Sequence, residues 1–183
     1  MAVDPKLLAE LLKTPETEDV TQSPIVSDLI KDPANADGLV SSLDADAALE
    51  VRNARLILCE FDSRAIRALF TGVSSAKANG RQQRLQVLWT LLATESPSTI
   101  RESLRGVKDR LNLLLDDRAS LPDVGPDYIE QDVRGRLCDL TYIVVQQLLS
   151  PTFDQSLFRS LDNAGRDREI TTLKRSDLSD AVS

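Results

Sequence analysis

The chain of 183 residues contains no histidine. That removes the commonest general base, the His-activated nucleophile pairs and every metal site built on imidazole. Cysteine is scarce: Cys59 and Cys138 stand far apart inside apolar helical patterns. Free buried thiols are expected, and with them a reducing, cytoplasmic setting. With seven glycines and 4% aromatics there is no glycine-rich phosphate loop, no dinucleotide fingerprint and no Cys-x-x-Cys pair. No apolar run reaches bilayer length; "YIVV" and "LLL" are of core length, so no membrane partner is expected. The first twenty residues, "MAVDPKLLAELLKTPETEDV", lack the basic-then-apolar pattern of a leader peptide. No cofactor or metal is called for. Nothing asks for an enzyme, although none is ruled out.

What is present is a helical vocabulary of Leu, Ala, Arg, Asp and Gln. A hydrophobic fraction of 42% and a charged fraction of 28% fit a folded domain. The formal charge of −7 is unevenly spread. Residues 1–50 carry eleven acidic and three basic side chains, 51–118 carry seven and twelve, and 119–183 carry eleven and seven. An acidic chain with a basic middle disfavours general nucleic-acid binding, which needs a continuous basic surface. An acidic partner for the middle stretch stays open.

Three regions are expected. Residues 1–34 read as an acidic lead-in with short capped helices: "DPKLLAELLK" with Asp4 as cap and Pro5 at the first helical position, and "SPIVSDLIKDP". Residues 35–161 read as alternating helices: "ADGLVSSL", "AALEVRNARLILCEF", "DSRAIRALFTGV" capped by Asp62 or Ser63, and "RQQRLQVLWTLLAT" after a loop "SSAKANG". Then come "SPSTIRESLRGVKDRLNLLL" as one helix, "YIEQDVRGRLCDLTYIVVQQLL" as the longest, and "SPTFDQSLFRSL" with Ser150 and Pro151 at its start. Residues 162–183 are a final helix or a frayed tail. No strand is expected.

At 100° per residue, Val133–Leu149 has two apolar faces, one with Leu137, Leu140 and Val144, the other with Cys138, Tyr142 and Val145. Asp139 and Gln146 fall on the remaining strip. Gln83–Thr94 is likewise two-sided, with Leu85, Leu88 and Trp89 opposite Val87 and Leu91, so Trp89 is read as core. Ile100, Leu104, Val107, Leu111 and Leu114 form a single stripe flanked by Arg101, Arg105 and Lys108. One-sided and two-sided helices alternate, as in stacked helical hairpins.

"IRALFTGV" (66–73) and "IRESLRGV" (100–107) share a frame at an offset of 34 residues. Arg-Leu pairs recur at Arg55-Leu56, Arg84-Leu85 and Arg136-Leu137. On these motifs, and on "LVSSLDADAALEVRNARLILCEF" and the Asp-Val-Arg of "QDVRGRLCDL", the chain resembles the HEAT and armadillo-like helical repeats. The middle unit departs from the pattern with Gln82 where Val is expected. The resemblance implies an all-α protein, a short right-handed α-solenoid of stacked helical hairpins; a compact non-repetitive helical bundle is the alternative. "DDRASLPD" resembles the aspartate-rich motif of prenyl-diphosphate enzymes, but Ser120 replaces the third Asp, so a solvated turn is the reading.

If second helices line an inner surface, as the resemblance implies, Arg55, Arg84 and Arg136 form a ladder along it. Such a ladder would clamp carboxylates or phosphates, or bridge to Asp46, Asp132 or Asp139 of neighbouring repeats. The structural role is favoured. The expected function is a protein–protein interaction module or adaptor with a concave helical surface. Arg55, Arg84, Arg136, Arg101, Arg105 and Lys108 are its candidate partner-binding residues. The alternatives are a helical enzyme or lyase accessory holding an anionic small molecule with arginines, and a nucleic-acid backbone binder.

Overall fold

Proline behind a capping side chain sets where the chain first turns helical. In the computed structural model, which describes residues 4–121, 135–150 and 152–176, α1 spans Pro5–Leu11, α2 Pro24–Leu29 and α7 Pro97–Leu104. Asp4, Ser23 and Ser96 accept from the backbone N–H of Lys6, Ile25 and Thr99 at 2.9, 3.3 and 3.3 Å. Each satisfies a donor that the first helical turn leaves over. The other helices are α3 Asn35–Val40, α4 Ala48–Cys59, α5 Ile66–Leu69, α6 Ala78–Thr94, α8 Lys108–Leu115, α9 Leu137–Leu149, α10 Gln155–Ser160 and α11 Asn163–Ser176. The protein is all-α. Among the described residues the one extended pairing is an isolated antiparallel bridge between Ser120 and Arg136. None of their helices is long and apolar enough to cross a membrane.

Several boundaries differ from the sequence reading, two of them at contacts with distant carboxylates. The "SSAKANG" stretch is not all loop: α6 begins at Ala78, where Asp44 Oδ1 accepts from Lys77 N at 2.9 Å. Neither Asp62 nor Ser63 caps its helix. Asp62 takes φ +55°, and Glu95 Oε1 accepts from Ser63 N at 2.5 Å. The single helix expected after Ser96 is broken by a 3₁₀ turn, Arg105–Val107, between α7 and α8. The helix expected from Tyr128 starts at Leu137. Residues 122–134, with Val133 and the Asp132-Val133-Arg134 motif, lie outside the described residues, as do Pro151 and 177–183. Arg136 runs extended instead, after a bend at Gly135: Leu121 N donates to Gly135 O (3.0 Å) and Leu137 N to Ala119 O (2.9 Å).

The two copies of the octapeptide also diverge. Gly72 takes the left-handed φ of +64° and ends the turn after α5, whereas Gly106 sits inside the 3₁₀ turn that leads into α8.

Packing follows two successions. Helix α3 lies on α5 and α5 on α7, while α4 lies on α6, α6 on α9 and α9 on α11; α8 also packs on α9. One apolar core runs through all of this, from Leu11 and Leu12 to Ile170 and Leu173. Each fully buried Leu, Ile or Phe contributes roughly 1.5–3 kcal/mol relative to exposure. The lead-in is part of that core through Leu11, Leu12, Val20, Val26 and Leu29. It is tied down by the buried Asn53 amide, which donates to Leu12 O (3.0 Å) and Thr14 O (2.8 Å). Leu85, Leu88, Val87 and Leu91 are all buried, so α6 is covered on two sides, and Trp89 packs half-buried against the core. Burial of α9 goes further than expected: Asp139, assigned to the strip between its apolar faces, is buried too.

Candidate functional site

Of the arginines singled out in the sequence, Arg55, Arg84, Arg101 and Arg136 reach other parts of the fold, each a different neighbour. Arg84, 5% exposed, reaches back from α6 to the 3₁₀ turn Ser41–Asp44, where its Nη2 lies 3.0 Å from Asp44 Oδ2. Gly80 makes room for this pair; a Cβ there would stand 1.8 Å from Asp44 Oδ1. Arg55 reaches forward from α4 to α6, donating to Gln83 Oε1 (3.2 Å) and Gln86 Oε1 (2.7 Å). Arg136 precedes its helix rather than sitting in it, at φ −110° and ψ 160°, so its wheel equivalence to Arg55 and Arg84 is lost. The three thus meet three different sets of partners. Among the expected acidic partners, Asp139 pairs with Arg136, Asp46 pairs with Lys77 instead (2.7 Å), and Asp132 lies outside the described residues. Arg101 Nη2 donates to Leu148 O at 2.9 Å, satisfying a carbonyl at the end of α9. Arg105 is exposed and Lys108 half-buried, at the junction of α7 and α8.

Around Arg136 gathers a charged cluster of which the sequence showed only one pair. Arg136 Nη2 lies 2.8 Å from Asp139 Oδ1 and 2.9 Å from Asp167 Oδ1; Arg118 Nη1 lies 2.7 Å from Asp167, and Arg166 Nη1 3.3 Å from Asp139 Oδ2. The Asp139 side chain is only 1% exposed. Burial opposes its ionisation, but Arg136, through side chain and backbone N–H, and then Arg166 outweigh it and hold the carboxyl below the usual range. Cys138 Sγ accepts from Arg118 at 3.0 Å, yet burial pushes this thiol up. Burial likewise pushes the Cys59 thiol to about 11, against the pull of Arg55. Neither is an activated nucleophile. Chemically the cluster is a clasp: with Lys174–Asp116 (2.5 Å) it fastens the polar helix α11 onto α9 and the end of α8.

Beside the clasp, α9, α10 and α11 enclose an open cleft of about 430 Å³. Its walls are Tyr142, Phe153, Phe158, Leu157 and Leu161, and its polar groups include Asp154 and Glu169. Tyr142 stacks on Phe158 (centroids 4.2 Å, planes 20° apart) and meets Phe153 edge-on at 6.1 Å and 74°. The Tyr142 hydroxyl donates to Glu169 Oε2 (3.4 Å) and accepts from Gln146 Nε2 (3.1 Å). Burial, then the Glu169 charge, raise its pKa. Leu157, 69% exposed, stands at the rim.

The sequence held a signal for this cleft that the Ser150–Pro151 reading obscured. Asp154 caps α10, accepting from Ser156 N at 2.9 Å. That places Phe153 just before the cap and Phe158 at the fourth helical position, the two sites of a hydrophobic staple. Here both rings turn onto Tyr142. Three of the chain's seven aromatic side chains thus meet in one place, which an accident of core packing would not require. No family model, curated protein or solved structure matches the chain.

Proposed function

We propose that the protein is a protein–protein interaction module, acting in the cytoplasm and built as a short right-handed α-solenoid of stacked helical hairpins resembling the HEAT and armadillo-like repeats. The two successions α3–α5–α7 and α4–α6–α9 are the packing that supports a hairpin array. The arginines serve the scaffold in this reading, since Arg84 and Arg136 are committed to Asp44, Asp139 and Asp167. The docking surface is instead the aromatic cleft of α9, α10 and α11. The observation that carries the reading is a concave apolar site with an exposed leucine at its lip, of the size that receives a partner's side chains.

A photo-crosslinking amino acid placed at Leu157, with the same label at Leu7 of α1 as control, tests it in native lysate. A discrete adduct from position 157 and none from position 7 is the expected result. Equal labelling at both sites, or no adduct from Leu157, would defeat the reading.

A further inference from the structure

We infer that the cleft of α9, α10 and α11 receives a cationic amphipathic segment of a partner protein, one that places an apolar side chain among the rings and a Lys or Arg beside Asp154 and Glu169. The inference rests on the interaction-module reading and adds the partner's chemistry. Its ground is the sign of charge around the opening. The side chains lining the cleft are aromatic, aliphatic, one serine and two carboxylates; among the described residues no cation lines it. Arg166 holds its guanidinium 5.8 Å from the Phe158 ring, but it is committed elsewhere. It donates to Leu161 O (3.0 Å) and Arg159 O (2.8 Å) and pairs with Asp139.

The two carboxylates are fixed in place by what they hold. Asp154 accepts from Ser156 N through Oδ1 as the cap of α10, and Glu169 accepts from Tyr142 through Oε2. A single carboxylate oxygen can accept more than one hydrogen bond, so both groups can take an ammonium or guanidinium without giving up these partners. An acidic segment in the same place would set like charges together over a partly dehydrated, aromatic surface. A volume of about 430 Å³ holds one or two anchoring side chains rather than a whole folded element.

Three acetylated, amidated pentapeptides test the assignment, each with Phe and Leu anchors separated and followed by Lys, Gln or Glu. They are titrated into the full chain and followed by amide chemical shifts and calorimetry. The Lys peptide is expected to shift resonances across Phe153–Leu161 and to bind about tenfold more tightly than the Gln peptide at low salt. High salt should narrow that gap, and the Glu peptide should bind weakest. The pair Asp154→Asn and Glu169→Gln should erase the preference. Asn still caps a helix and Gln still accepts from Tyr142, so the fold is retained, and the salt series needs no variant at all. Equal binding of the Lys and Gln peptides, or tightest binding of the Glu peptide, would overturn the charge assignment while leaving the cleft a docking site. If no peptide moves the cleft resonances, the docking reading falls with it.

Discussion

Gln82 sits in the core with no hydrogen-bond partner for its amide among the described residues. It lies in α6, which packs against both α4 and α9, and it is fully buried. Neither its Nε2 nor its Oε1 finds a hydrogen-bond partner among the described residues. A buried amide left unsatisfied costs about 1–3 kcal/mol on the protein mutational scale. Gln82→Leu removes that cost and substitutes apolar contact at similar size; the change of shape returns less than about 1.5 kcal/mol of it. A net gain of about 1–2 kcal/mol is expected, which for a chain of this length raises the melting temperature by about 2–8 °C. Urea denaturation should show a higher midpoint at an unchanged slope, since the surface exposed on unfolding is the same, and calorimetry should show the matching rise. A lower midpoint for both Gln82→Leu and the straighter Gln82→Met would refute the reasoning, because it would mean that the amide is making a favourable bond in the native state.

Asp44→Ala removes the acceptor for Lys77 N at the start of α6 and leaves Arg84 buried without its counter-charge; a loss of about 3–5 kcal/mol is expected by denaturant unfolding. Asp44→Asn, which keeps an acceptor for Lys77 N, should lose distinctly less. Gly72→Ala should destabilise by about 1 kcal/mol because its φ is left-handed, whereas Gly106→Ala, whose Cβ would meet nothing within 4 Å, should stabilise by up to about 1 kcal/mol; thermal melts giving the same sign for both would refute this. The Asp139 carboxyl is depressed in the folded state, so its contribution is fully present above the ordinary value of 3.8 and is lost as pH falls through the lower folded value. Stability measured against pH should therefore fall less steeply on the acid side in Asp139→Asn than in the native chain, and parallel acid limbs would contradict the assignment.

The helices that the sequence located well are those whose instructions are local. Asp4–Pro5, Ser23–Pro24 and Ser96–Pro97 each hold cap and first turn within four residues. The stripe of Ile100, Leu104, Val107, Leu111 and Leu114 likewise marks a buried face wherever the chain runs. The misread starts have remote causes. The start of α6 depends on a carboxylate 33 residues earlier, and the turn at Ser63 on one 32 residues later. At α10, by contrast, the cap is local, but it is Asp154 rather than the Ser150–Pro151 pair at which the sequence places the start.

By itself, then, the sequence determined an all-α chain, its apolar stripes and its lack of imidazole chemistry, because helix propensity, capping and side-chain period act over one or two turns. Tertiary structure alone decided that Arg55, Arg84 and Arg136 face three different neighbours, that Asp139 is buried between two guanidinium groups, and that Tyr142, Phe153 and Phe158 close on one another. A charge or a ring gains its partner only after the core has brought distant helices within a few ångströms, and that closeness is set by how the whole apolar surface packs.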